Sequence, residues 1–285
     1  MLRSLLQPWI RRLVAVFWLL RLGRTIMVAV ITGVGAVAAG AGATGALTAA
    51  VGGWLLAVGG FSLDLYADRE LDAASGRRRN PLAEGTLQPS TGLAISILFL
   101  LGSLVVVSRI PWGVVPWLAI VGIVAALARH LLDAPWARAL SLGLLQGLYV
   151  LLGAMAGRLN VAVWLIAAMF FCAMVAGRGM TDIRDLPEDQ STPLQTLPMR
   201  YGVARTARFT AVGLAISFAL SLAVYATGLF RPIYLCLDLA YIVVGLGCAI
   251  WFALRPSPRL AGILTQVCMI GLGGLISLAV ILGRV

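Results

Sequence analysis

The sequence predicts an all-α, polytopic membrane bundle of about nine transmembrane helices around a central cavity open to the cytoplasmic side. Composition is the first observation: of 285 residues, 61% are hydrophobic and 12% charged, and mean hydropathy is +0.98. A soluble domain carries about twice that share of charge. The second is pattern. Nine apolar stretches approach the roughly 20 helical residues needed to cross a hydrocarbon core of about 30 Å, without the sustained two-residue alternation of a membrane barrel. The third is placement: eight of the eleven acidic residues fall in two short clusters, each closing an apolar stretch.

The chain reads as one membrane domain, 1–285. Residues 1–24 hold Arg3, Arg11, Arg12 and Arg21 around a short apolar run, Leu13 to Leu20, with no small-residue cleavage site. That suits an interfacial amphipathic helix better than a signal peptide. A first four-helix half, 25–133, contains spans near 25–43, 46–63, 91–108 and 112–128. A second half, 134–254, contains spans near 139–157, 160–178, 207–228 and 232–254. A ninth helix follows near 260–282, within 255–285. Prolines mark the loops at Pro81, Pro89, Pro111, Pro135, Pro256 and Pro258. Glycines crowd the first two spans, among them Gly33, Gly35, Gly52, Gly53 and Gly59, as close helix packing in a membrane requires. Cys172, Cys236, Cys248 and Cys268 lie in apolar stretches without metal-ligand spacing and read as small buried hydrophobes.

All 22 basic residues are arginine, which suggests a GC-rich bacterial genome and its cytoplasmic membrane. With nine spans, only Arg109, Arg158, Arg231 and Arg284 fall on one side. The positive-inside rule therefore puts the N-terminus and both acidic clusters in the cytoplasm. The net charge of +11 is accounted for by this bias and by anionic lipid, so no nucleic-acid partner is required.

The first cluster holds Asp64, Asp68, Glu70 and Asp72; the second holds Asp182, Asp185, Glu188 and Asp189. Residues four apart share a helix face, and like charges at that spacing repel by roughly 0.2–0.5 kcal/mol per pair. A cation would compensate the row. If the two helix ends face one another, Asp64, Asp68, Asp72, Asp185 and Asp189 surround one cavity at the membrane surface. Hard oxygen ligands favour Mg²⁺, completed by substrate phosphates, and nearby arginines would hold the remaining phosphate oxygens. Glu70 and Glu188 fall off this face and read as surface residues. His130 reads as a loop residue beside Arg129 and Asp133. Asp238, near the opposite membrane face, suits a helix-end or interhelical hydrogen bond.

At these residues the chain resembles the UbiA superfamily of intramembrane prenyltransferases, with Asn-x-x-x-Asp-x-x-x-Asp after the second helix and Asp-x-x-x-Asp after the sixth. The likeness extends to Arg21–Met27, to the turn from Pro81 to Gly85, and to Thr196–Gly202. It implies a polyprenyl diphosphate donor, Mg²⁺ bridging carboxylates and diphosphate, a lipid or aromatic acceptor, and a lateral opening for the tail. On that reading Asp64, Asp68, Asp72, Asp185 and Asp189 are the metal set. Asp68 and Asp185 are its catalytic centre, and Asp182 orients the set or accepts a proton. Arg24, Arg78 and Arg200 contact diphosphate, and the tail lies along the first four spans. Several positions depart from the family pattern. Asp64 replaces Asn, Leu65 replaces a frequent acid, Arg24 replaces an Asn of the first helix, and Asn80 replaces an Arg before Pro81. The fourth-to-fifth loop lacks the usual Tyr and basic pair, while Gln146 is a polar inward candidate on the fifth helix.

The reading that follows is Mg²⁺-dependent transfer of a prenyl group to an acceptor within the membrane. The alternative is a terpene cyclase of the same superfamily, in which the substrate's own double bond is the nucleophile. An ion carrier fits less well, because transporter sites sit at mid-membrane and these carboxylates sit at helix ends.

Overall fold

A computed structural model describes residues 13–74, 80–129, 131–132, 134–190, 195–268 and 273–284. Its elements are α1 (13–20), α2 (Leu22–Ala38), α3 (Ala43–Ala67), α4 (Arg69–Ala74), α5 (Pro89–Val107), α6 (Val114–Ala128) and α7 (Pro135–Ala154). They continue with α8 (Val161–Asp189), α9 (Leu197–Tyr201), α10 (Val203–Ala226), α11 (Pro232–Leu254), α12 (Pro258–Gln266) and α13 (Gly273–Gly283). Among the described residues every regular element is helical; one isolated antiparallel bridge joins Phe230 to Arg284.

Local chemistry explains many boundaries. Proline opens α5, α7, α11 and α12, where its missing N–H costs nothing and its φ suits a first turn. Asn160 accepts from Val163 N at 3.1 Å and Ser257 from Leu260 N at 3.2 Å, each satisfying a donor the helix start leaves open. Pro187 lies inside α8, between Asp185 and Asp189, and removes one helix hydrogen bond there.

Among the described residues seven helical runs are long and apolar enough to cross a membrane: Leu13–Ala38, α3, α5, α7, α8, α10 and α11. The two other expected spans correspond to shorter apolar helices, α6 and α13. The last stretch is divided between α12 and α13, with 269–272 outside the described residues. The interfacial segment expected at 1–24 differs in part. Residues 13–20 run on into α2 as one apolar stretch, bent at Arg21, whose φ of 45° is left-handed. Ala15 and Leu19 of α1 pack on Leu65, Leu82 and Leu87, while Phe17 and Trp18 are exposed.

The helices form a ring. α2 packs on α3, α7 and α13; α3 on α5; α5 on α6; α6 on α7; α7 on α8; α8 on α10; α10 on α11; and α11 on α13. Glycine permits the closest approaches. A Cβ on Gly35 would collide with the Val150 carbonyl, and one on Gly153 with the Thr32 carbonyl, so the α2 and α7 backbones touch. Outward faces remain apolar: Leu98, Leu118 and Val243 are each more than half exposed, as lipid contact requires. Turns meet at one end of the bundle, where Arg158 N donates to Ala39 O at 2.9 Å and Arg231 N to Gly283 O at 2.6 Å. The acidic clusters lie at the other end.

Candidate active site

The first row stays helical. Asp68 N donates to Asp64 O at 2.9 Å and Asp72 N to Asp68 O at 2.8 Å, so the helical turn passes from α3 into α4 and the three aspartates share one face. Glu70 points away, and Arg69 meets it at 2.6 Å. Asn80 is buried and holds the following turn to the row. Its Nδ2 donates to Leu65 O at 2.8 Å and to Asp72 Oδ2 at 2.9 Å, and its Oδ1 accepts from Leu82 N at 3.1 Å.

On α8, Asp182, Asp185 and Asp189 fall within an arc of about 60° at about 100° per residue. Asp182 is 2% exposed. Arg178 lies 2.7 Å from its Oδ1, and Leu197 N donates to its Oδ2 at 3.4 Å. Asp182 therefore ties the loop carrying Thr196–Gly202 to α8. Asp189 is also buried and lies within electrostatic range of Asp182, as does Arg138 of α7. Arg184 clasps its neighbour: Nε and Nη2 each reach a different oxygen of Asp185 at 2.7 Å. Glu188 is exposed.

Arg24 joins the rows. It is within electrostatic range of Arg21 and Asp64 on one side and of Arg184 and Asp185 on the other, so α2, α3 and α8 converge there. Arg21 Nη1 lies 3.5 Å from Asp64 Oδ2, and its guanidinium covers the Phe61 ring at 5.7 Å. Arg200 is exposed, over the ring of Tyr201 at 5.6 Å. Arg78, His130 and Asp133 lie outside the described residues.

Among the described residues no three His, Cys, Asp or Glu side chains converge closely enough to hold a metal ion unaided. The donors at the two helix ends are all carboxylate oxygens, a set suited to a hard cation that keeps waters and takes further oxygens from a bound anion.

An apolar cavity of about 90 Å³ lies beneath the charged cluster. Met27, one turn past Arg24, and Met180, just before Asp182, line it, with Phe170, Phe218, Tyr241 and Gln146 deeper. Gln146 faces inward, as its sequence context implied, and its Oε1 has no hydrogen-bond partner. Of the first four spans, only α2 contributes to this wall. α5 packs closely on α3, with Gly52 against Val107 and Gly59 against Leu100. Asp238 is fully buried on α11, beside Ser221 of α10 and the tyrosines Tyr234 and Tyr241.

Sequence reasoning missed Arg21, Arg178 and Arg184. Each sits within four residues of a site position; which carboxylate each meets depends on side-chain path, which spacing does not reveal.

Residues 26–268 match the UbiA prenyltransferase family. A digeranylgeranylglyceryl phosphate synthase of Natronomonas pharaonis is 29% identical over 190 residues, 65% of this chain and 67% of that protein. A solved structure concerned with digeranylgeranylglyceryl phosphate synthase superposes with a TM-score of 0.77 at 17% identity, covering 95% of this chain and 98% of that one. A UbiA homologue from Archaeoglobus fulgidus, bound to DMAPP and Mg²⁺, gives 0.64 at 18% identity, covering 94% and 99%. The family match spans most of the chain and the fold agrees over nearly all of it: the chain belongs to the UbiA prenyltransferase family, as an integral-membrane prenyltransferase.

Proposed function

We propose that this enzyme transfers the prenyl group of an allylic polyprenyl diphosphate to a lipid acceptor within the membrane, releasing diphosphate. The observation that carries this reading is the position of Arg24. It senses Asp64 of one row and Asp185 of the other, and the apolar cavity begins one turn below it. A diphosphate held between the rows has its hydrocarbon tail aimed at that space.

Asp64, Asp68, Asp72, Asp185 and Asp189 would hold Mg²⁺, with Asp68 and Asp185 central. Bound there, Mg²⁺ supplies neutralisation of the charge that develops on the departing diphosphate. Asp182, fastened to Arg178 and Leu197 N, positions the second row and the loop after it. Arg24 contacts diphosphate, with Arg78 and Arg200 as further partners. The apolar walls exclude water from the allylic carbon. The arginine bias puts this end in the cytoplasm.

The DMAPP and Mg²⁺ bound by the Archaeoglobus homologue support the donor and metal. The name of the Natronomonas relative supports a glyceryl phosphate lipid as acceptor over an aromatic one. The test is incubation of the purified enzyme with labelled prenyl diphosphates of several lengths, with and without a glyceryl phosphate lipid. Expected is Mg²⁺-dependent diphosphate release with label joined to that lipid. Cyclised product without acceptor would replace transfer by cyclisation, and activity that survives EDTA in metal-free protein would remove the metal reading.

A further inference from the structure

Neighbouring residues on a helix point about 100° apart and do not normally face each other. Arg184 nevertheless meets both oxygens of Asp185 at 2.7 Å. The route of its stem explains how. Cγ and Cδ pass 3.6 Å from where a Cβ on Gly262 would stand, so α12 carries the stem and the guanidinium turns back over the carboxylate. The pair is about three-quarters buried, at 23% and 31% side-chain exposure. It therefore exceeds an exposed surface bridge in strength but stays within reach of an incoming ligand.

Arg24 feels the positive charges of Arg21 and Arg184 beside the negative ones of Asp64 and Asp185, while Arg184 itself is held by Asp185 with Glu188 and Asp182 within electrostatic range. Repulsion among the cations is relieved by an anion, and a bidentate guanidinium is as well shaped for phosphate as for carboxylate. While Arg184 holds one lone pair on each oxygen of Asp185, only the remaining lone pairs are open to a cation, and the guanidinium's own charge opposes the approach of a cation to them.

We propose that Arg184 is a positioning residue that occupies Asp185 before substrate arrives and transfers to the diphosphate when it does, so that Asp185 becomes fully available to Mg²⁺ only as diphosphate binds. The inference rests on reading the two rows as the metal and diphosphate site. It makes the binding of metal and anion interdependent through one side chain. Mg²⁺ alone competes with the guanidinium and binds weakly; diphosphate removes the competitor.

The experiment is calorimetric titration of the full-length protein in detergent, comparing wild type, Arg184→Gln and Arg184→Lys. The probes are Mg²⁺ alone, inorganic diphosphate alone in EDTA, and, for wild type, Mg²⁺ in the presence of inorganic diphosphate. Arg184→Gln is expected to bind Mg²⁺ alone about fivefold tighter or more, the lower end of typical coupling between sites, and to bind diphosphate more weakly. Arg184→Lys keeps the charge but loses the two-pronged grip; it is expected to fall between the other two for Mg²⁺. An arginine that only braces the helix would lower thermal stability and leave Mg²⁺ affinity unchanged. Unchanged or weaker Mg²⁺ binding in both variants overturns the proposal. If wild type takes up Mg²⁺ with diphosphate normally in that case, the clasp alone fails. If wild type takes up no Mg²⁺ even with diphosphate, the site reading fails with it.

Discussion

Asn80 Nδ2 lies 2.9 Å from Asp72 Oδ2 and 2.8 Å from the carbonyl of Leu65, so one buried amide fastens the end of the first carboxylate row to the helix that begins it. Its Oδ1 also receives Leu82 N at 3.1 Å. Asn80→Ala removes two buried hydrogen bonds and one part-buried one and is expected to cost about 1–3 kcal/mol. A lower thermal midpoint in detergent, with faster proteolysis around Glu84, checks this; an unchanged midpoint would mean the loop holds itself.

The two rows are expected to act as one unit. Asp68→Ala and Asp185→Ala should each remove most diphosphate release. The double variant should be little worse than either single one, because residues acting together are strongly non-additive. Near-normal turnover in either single variant would separate the rows.

Asp64 meets Arg21 directly at 3.5 Å, whereas Arg24 acts on it across a wider cluster. Asp64→Asn is expected to raise the Mg²⁺ concentration needed for half-maximal activity. Arg21→Gln in the same chain should restore part of that loss, and Arg24→Asn a smaller part. Activity against Mg²⁺ for the singles and doubles measures the coupling; simple additivity would show that neither arginine balances Asp64.

Close backbone approach makes Gly35 intolerant. A Cβ there strikes the Val150 carbonyl, and main chain cannot rotate aside, whereas one on Gly33 meets only Ala50 Cβ at 3.6 Å. Gly35→Val is expected to destabilise by about 3 kcal/mol, read as loss of folded protein on gel filtration, while Gly33→Ala should behave as wild type.

Orientation is testable by labelling. In a chain without its four native cysteines, Glu84→Cys should resist an impermeant thiol reagent in intact cells. Leu159→Cys, in the turn at the opposite end, should react. The reverse pattern would put the carboxylate rows outside.

The sequence by itself determined the class of fold, the two carboxylate rows and the family they point to. Those properties are periodic or compositional: apolar runs of spanning length, and aspartates four apart that keep one face whatever surrounds them. Gln146 was legible for the same reason, as a polar residue in an apolar run. Tertiary structure decided the rest. Arg24 links the rows only because α2 packs beside both α3 and α8. The cavity lies among α2, α7, α8, α10, α11 and α13 because those helices close into one ring. Arg184 grips Asp185 against the direction helix geometry assigns it, since its stem is carried by Gly262, 78 positions away in the chain. Pattern fixes which residues share an element's face; which guanidinium reaches which carboxylate depends on helix packing and side-chain path, and neither has a period to read.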